Sequence, residues 1–317
     1  MKRIATIASL FFAGIMVISC GGKKQETAQQ PVQEQKQVKE EPYDILESFN
    51  ENGSSKSLFS IAPDKQARFS RGNLQYQAST KTWRFAENQY DYIGQDNSKI
   101  SSTNDGWIDL FGHGTSGWNS GKTKAYQPFS KSEEAKDYFV GSLTGKNKQA
   151  DWGVHNAISN GGNKSQMWRT PTLDEWEYLL ITRQCSPVGE TENARFVKAR
   201  VNNVNCIILF PDNYSHPKSV NIPVHINRPA LNYGSNTYNL SEWRKMEKAG
   251  AILLPASGNR IGEETLNVGD GGCYSTSSDY EQTGHWHILF SDKTVQSDHY
   301  RNNACGFAVR LIMDKKK

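Results

Sequence analysis

From Met167 to Leu180 the chain reads Met-Trp-Arg-Thr-Pro-Thr-Leu-Asp-Glu-Trp-Glu-Tyr-Leu-Leu, with three carboxylates, Asp174, Glu175 and Glu177, inside four residues. Such a group could serve as an acid/base pair, as part of a metal site, or as the start of a helix. Thr172 followed three residues later by Glu175 is a capping-box pattern: the Thr hydroxyl accepts from the Glu N–H, and the Glu side chain accepts from the Thr N–H. Leu173, Trp176 and Leu180 fall at helical spacing and form one apolar stripe. Asp174 and Glu175 lie in the first turn, where the helix dipole favours negative charge. Two of the three acids therefore have structural reasons to be there, and Glu177 is left over.

Other residues with chemistry in them are few. His285 and His287 are two apart, so on a strand they share a face, and with His299 they could bind zinc. No cysteine or carboxylate completes a familiar ligand spacing, so exposed histidines on a polar surface are the favoured reading, and no metal is assigned. Cys185, Cys206, Cys273 and Cys305 show no CxxC spacing. Cys206 sits in an apolar run as a buried thiol, and Cys273 with Cys305 is one open disulfide pairing. There is no GxSxG, no HExxH and no phosphate loop. Gly112-His113-Gly114 near Ser116 reads as a loop rather than part of a triad. No catalytic residue and no cofactor is expected.

The elements that must position these residues read as follows. Leu58 to Ile61, Ala67 to Phe69 and Leu74 to Tyr76 are short strands, and Trp83 to Ala86 closes a hairpin with the last. Residues 94–121 form a long ordered loop region carrying Trp107, Phe111 and Trp118. Ser132 to Phe139 is a candidate short helix. Arg195 to Val201 and Val204 to Phe210 flank Asn202-Asn203, a tight two-residue hairpin, because Asn tolerates positive φ. A second helix runs from Ser241 to Ala249, capped by Asn239 or Ser241 and stopped by Gly250. Ala251 to Leu254 is a buried strand, Trp286 to Phe290 alternates, and Gly306 to Ile312 is a closing strand. Two helices with many short strands and aromatic loops make an α+β domain.

The N-terminus bounds location. Lys2 and Arg3 precede an apolar run from Ile4 to Ile18, the pattern of a secretory signal peptide over residues 1–19. Val17-Ile18-Ser19-Cys20 resembles a bacterial lipobox, so lipidation of Cys20 and a stable membrane anchor through more than one acyl chain are expected. Gly21 after the cysteine points to the outer membrane. Residues 20–56, rich in Gln, Glu and Lys, read as a tether with too few apolar groups to fold; 57–312 is the domain, and 313–317 a basic tail. With 37 Lys and Arg against 33 Asp and Glu, and no basic block beyond the tail, nucleic acid is not an expected partner.

Several stretches together resemble known families. Trp168 to Tyr178 is similar to the R-[LT]-P-T-x-x-E-W-E-Y segment of formylglycine-generating-enzyme-like domains, and Gly306-Phe307-Ala308-Val309-Arg310 to their terminal G-F-R-x-x-R strand. Gly72 to Tyr76, Tyr90 to Gly94, Gly106 to Gly112, Asp151 to Val154 and Leu253 to Ala256 resemble bacterial surface lipoproteins related to the Fibrobacter succinogenes major paralogous domain family. The resemblance covers residues 57–312 and implies a C-type-lectin-like fold. It also suggests that Glu177 is buried and pairs with Arg310, tying helix to last strand. Formylglycine-generating enzymes use a close cysteine pair that binds copper. Here His299 to Cys305 offers one cysteine, with Cys273 far away in sequence, so an oxidase is the lesser alternative, beside a zinc enzyme or a structural subunit of a surface assembly. The calcium-binding sugar motif of calcium-dependent lectins is missing. The same fold carries proteins whose C-terminal segment varies to change ligand, and 273–303 is rich in Tyr, Ser, Asn, His and Asp, suited to recognition. With Trp286, Ile288 and Phe290 facing the core, His285, His287 and Leu289 are expected to face out. Tyr274, Asp279, Tyr280, Asp298, His299 and Tyr300 would join them in binding a protein or glycan noncovalently.

Overall fold

A computed structural model describes residues 43–118 and 126–316. The leader, Cys20 and most of the expected tether lie outside the described residues. Among the described residues no helix is long and apolar enough to cross a membrane.

Strands β1 (Phe59–Ala62) and β2 (Lys65–Phe69) form a hairpin, as do β3 (Leu74–Gln77) and β4 (Thr82–Phe85). The aromatic loop supplies β5 (Trp107–Ile108) and β6 (Leu110–Phe111), then helices α1 (Trp152–His155) and α2 (Leu173–Glu177). Strands β7 (Phe196–Val201) and β8 (Val204–Leu209) follow, then β9 (Thr237–Tyr238), α3 (Leu240–Lys248) and β10 (Ile252–Pro255). The last part holds β11 (Asn259–Ile261), β12 (Glu264–Leu266), β13 (Gly272–Tyr280), β14 (Gly284–Phe290), β15 (Val295–Asn302), β16 (Phe307–Ala308) and β17 (Ile312–Asp314). The mixed α+β class is as the sequence suggests. The sheets are small: β1-β2-β17, β4-β3-β5, β10-β8-β7-β9, β11-β12, and the five-stranded β15-β14-β13-β16-β6.

Local signals act as expected. Thr172 and Glu175 close the capping box of α2, Thr172 Oγ1 accepting from Glu175 N at 3.2 Å and Glu175 Oε2 from Thr172 N at 2.9 Å. Beyond Glu177 the chain widens into a π-helical turn over Tyr178–Thr182. Asn239 caps α3 through a second box with Glu242. Gly250 stops that helix at φ 99°, where a Cβ would lie 1.9 Å from Ser57 Oγ. Asn202 and Asn203 both take positive φ, 48° and 65°, so β7 and β8 pair in register across a tight turn.

Four expectations are corrected. Ser132 to Phe139 forms only a 3₁₀ turn at Ala135–Asp137. The closing strand is split, because between β16 and β17 the carbonyls of Val309 and Leu311 accept from Leu74 N and Ser70 N instead of continuing a ladder. The tether ends before residue 56: Phe49 is buried in the core, and Tyr43 already bonds to Glu247. Finally, Glu177 does not clamp Arg310. Glu177 is half-buried, its carboxyl pushed up by burial and by Asp174 and Asp298. The helix is instead tied to the last strand by Arg169, whose Nη1 and Nη2 reach Glu175 at 2.7 Å and whose Nη2 reaches Asp314 at 2.6 Å.

Arg310 is fully buried and belongs to another network. Its Nη2 donates to Gln89 Oε1 at 2.5 Å, and its Nη1 to Asn73 Oδ1 at 3.5 Å. Gln89 Oε1 also accepts from Leu253 N at 2.9 Å, while its Nε2 donates to Glu247 Oε1 at 2.8 Å and Ala251 O at 3.2 Å. Glu247 in turn accepts from the Tyr43 hydroxyl. One amide thus joins a buried cation to a buried anion. Removing one partner from such a network leaves an uncompensated buried charge, at a cost of about 3–5 kcal/mol. Gln89→Leu should therefore lower the urea midpoint by that order of stability, whereas Gln282→Leu on the exposed turn should change it little. Equal midpoints for the two variants would show that the amide is dispensable.

Candidate functional site

Strands β13, β14 and β15 form two antiparallel hairpins, and their register sets which side chains meet. Ser275 lies opposite His287, which lies opposite His299; Asp279 lies opposite His285, which lies opposite Arg301. Between Ser275 and Asp279, β13 bulges. The displaced backbone is used elsewhere: Ser277 O accepts from Leu143 N at 2.7 Å, and Ser277 N donates to Pro171 O at 2.8 Å. Thr276 Oγ1 bridges the gap by donating to Trp286 O at 2.8 Å. A second irregularity, in β15 between His299 and Gln296, turns that strand at the mouth of the site.

The alternation along β14 is real, but its two sets are not core and solvent. His285 and His287 are buried, at 0 % and 1 % exposure, and Tyr274 is at 0 %. These three expected surface residues are interior, because both faces of the five-stranded sheet are covered. On one side Tyr274, Ile288 and Phe290 join the main core with Trp176. The Tyr274 hydroxyl donates to Pro255 O at 2.9 Å and accepts from Asn73 Nδ2 at 3.1 Å. On the other side Phe307 lies with its ring centroid 4.1 Å from His287 and 4.9 Å from His285. Trp286, expected inside, is only half-buried and packs with its ring centroids 4.8 Å from Tyr280 and 5.7 Å from Tyr300. Asp298 and Tyr300 are exposed, His299 and Leu289 are half-buried, and Asp279 accepts from Ser142 Oγ.

Four imidazoles form a row. His113 stacks on His285 at 4.7 Å, His285 lies 6.4 Å from His287, and His287 meets His299 edge-on at 4.9 Å. His113, dismissed as a loop residue in the sequence, is the member no strand pattern could supply; its Nε2 contacts Gly141 O at 3.1 Å. Burial holds the row neutral. It pushes His113 down to about 4, His287 to about 3, and His285 and His299 also below the ordinary histidine value. Nδ1 of His113 and His299, Ser275 Oγ and Ser277 Oγ have no hydrogen-bond partner along the row, whereas the His285 ring faces the Asn303 side chain and the His287 ring the backbone of His285, contacts that offset part of the effect of burial. Buried groups of this kind are normally paired.

The row ends at a cavity of about 710 Å³ between this sheet face and the β11–β12 hairpin. Its floor is Cys273, His287, Leu289, Cys305 and Phe307; its far wall includes Asn259, Ile261, Leu266 and Asn267; its rim carries Tyr280, His299, Tyr300 and Arg301. Of the residues singled out for recognition, Tyr280, His287, His299 and Tyr300 therefore come together, whereas Tyr274, His285, Asp279 and Asp298 do not line it. Tyr280 and Tyr300 stack on each other at 3.8 Å. Cys185, Cys206, Cys273 and Cys305 are free thiols. Burial pushes Cys273 up to about 12 and raises Cys305 as well, so neither is a thiolate at neutral pH. Among the described residues no group of three or more His, Cys, Asp or Glu is placed to hold a metal ion. No protein-family model, no curated protein and no solved structure matches the chain.

The buried imidazoles fix the sign of an acid response. Their folded pKa values lie below the unfolded value of about 6.5, so below pH 6.5 the unfolded chain binds protons that the folded chain cannot. Each removes about 1.4 kcal/mol of stability per pH unit until its folded pKa is reached. Asp109 and Asp151, buried and raised to about 6, act oppositely: folding favours their protonated forms and gains as pH falls through that value. His285→Phe keeps an aromatic ring between His113 and Phe307 and deletes one proton sink. Its urea midpoint should fall less than that of the parent between pH 7.5 and pH 5. Parallel losses in the two proteins would mean that His285 titrates normally.

Proposed function

We propose that the chain is an outer-membrane lipoprotein, anchored through Cys20, whose C-type-lectin-like domain binds a protein or glycan noncovalently in the cavity above β13–β15. The lipobox-like leader supports the anchor, and the motifs shared with lectin-like lipoproteins support the fold. The observation that carries the binding reading is the cavity itself. Sites for small ligands are concave and mostly apolar, with a few convergent polar groups, and here neutral imidazoles, one with an unpartnered nitrogen, border an apolar floor of Leu289 and Phe307. Rigid strands, not loops, carry most of the floor, which suits recognition.

The rival reading, a thiol oxidase, draws on one feature: Cys273 and Cys305 border the same cavity. Their raised pKa values argue for thiols that pack rather than react. Of the clustered acids, Glu175 is accounted for by the cap and the Arg169 ion pair, and Asp174 by its place in the first turn of the helix.

Half-buried Leu289 borders the cavity from the β14 side, so Leu289→Trp should fill the space without touching the core face. Captured glycans and peptides on an array should bind the full chain and bind Leu289→Trp at least ten-fold more weakly, with the thermal midpoint little changed. Undiminished capture by that variant would move the site elsewhere on the molecule.

A further inference from the structure

The chemistry of the cavity narrows its occupant, given the binding reading above. Arg301 stands at the rim, opposite His285 on β15, and makes no ion pair among the described residues. Its charge is felt along the cavity: it adds to burial in lowering His299 and, after burial and His299, His287, and it opposes the burial that raises Cys273 and Cys305. The one carboxylate in the lining, Glu281, sits on the exposed turn after Tyr280, where it adds to the Tyr300 hydrogen bond in raising that tyrosine. Arg301, exposed at the rim, therefore presents a planar fork of N–H donors suited to a carboxylate, with no protein carboxylate bonded to it among the described residues.

The remaining polar groups are amides, imidazoles, the hydroxyls of Tyr280, Thr283 and Tyr300 and the thiols of Cys273 and Cys305, each able to donate or to accept. Asn267 Nδ2 donates to Asn259 Oδ1 at 3.2 Å, which leaves Asn259 Nδ2 and Asn267 Oδ1 without a bond. Asn302 Oδ1 accepts from Ala304 N at 2.8 Å, which leaves its Nδ2. His287, 1 % exposed, borders the cavity beside half-buried His299, whose Nδ1 is unpartnered. A hydroxyl is both donor and acceptor, so a row of hydroxyls satisfies such a mixed set, where a string of carbonyls or ammonium groups would satisfy half of it. Leu289 and Phe307 offer an apolar surface to the C–H face of a ring.

We propose that the cavity takes an acidic sugar, with its carboxylate on Arg301, its hydroxyls among Asn259, Asn267, Asn302, His287 and His299, and its ring over Leu289 and Phe307. A free uronate and a uronate within a polysaccharide share this chemistry. Arg301 acts as the group that selects acid over neutral sugar, and the amides and imidazoles as the groups that select sugar over other carboxylates.

The test is calorimetric titration of the full chain with D-galacturonate, polygalacturonate, D-galactose and benzoate. Galacturonate should bind at least ten-fold more tightly than galactose. In Arg301→Gln that ratio should fall to about one while galactose binding and the thermal midpoint stay unchanged, since Arg301 holds no ion pair. Tighter binding of the polymer than of the free acid would assign the source to a polysaccharide, and the reverse to a free uronate. Equal binding of galactose and galacturonate by the parent would overturn the carboxylate assignment, and benzoate matching galacturonate would overturn the sugar assignment. Absence of binding by both sugars overturns the whole inference. The cavity reading would still stand if Leu289→Trp abolished capture of some other ligand.

Discussion

A buried guanidinium with no carboxylate in direct contact is the constraint around which this domain closes. Arg310 is fully enclosed, and its charge is lowered in pKa to about 10 by burial, which leaves it a cation at neutral pH. An isolated charge in such a place is expensive. Its relief comes through Gln89, whose carbonyl faces Arg310 and whose amide faces Glu247. The same network takes in Asn73, Tyr43 and the hydroxyl of Tyr274. These residues lie at both ends of the described chain, so the cation is satisfied only when the ends and the middle have already come together. That makes the network a test of complete folding rather than a nucleus for it, in keeping with non-local strand pairs such as β2 with β17 and β6 with β16.

What could be read from the sequence is what is settled within a few residues. The two capping boxes, the Asn202-Asn203 turn and the glycine stop after α3 depend on local backbone groups and are present as expected. The partner of Arg310 could not be read, because a carboxylate on a nearby helix is a plausible partner until the fold shows that α3, not α2, faces it. Phe49 was hidden for a similar reason: one aromatic in a polar stretch gives no period, and only its docking under the β1–β2 hairpin reveals it as core. The site was half legible. Alternation in β14 separates His285 and His287 from Ile288 and Phe290, but parity does not say which set is covered, and a sheet packed on both faces hides each of them. His113 lies far off in sequence, in a loop of glycines, and joins the row only through tertiary packing.

Strand β13 links frame and cavity. Tyr274 points into the core and bonds to Asn73 and Pro255, while its neighbour Cys273 borders the cavity. Successive residues of one strand therefore serve the buried network and the recognition surface. Movement of the strand large enough to reshape the cavity would pull Tyr274 from its partners, so the floor is held by the same hydrogen bonds that hold the fold.

The row of neutral histidines sharpens the case for function on that floor. Phenylalanine would fill the same spaces beside His113 and Phe307 with no unpaired nitrogen and no sensitivity to acid. Packing alone gives no reason for three buried imidazoles and two unpartnered serine hydroxyls to gather behind one cavity. Other buried cations are well enclosed, Lys198 by the carbonyls of Pro229, Ser291 and Asp292 and Arg183 by those of Leu179, Arg195 and Phe210, while single unpartnered atoms such as Arg310 Nε occur elsewhere without gathering at a cavity. Local rules tend to be broken where a protein does its work. A polar row that borders a cavity with an unpaired arginine at its rim suits the hydroxyls and the anion proposed for it better than it suits packing alone.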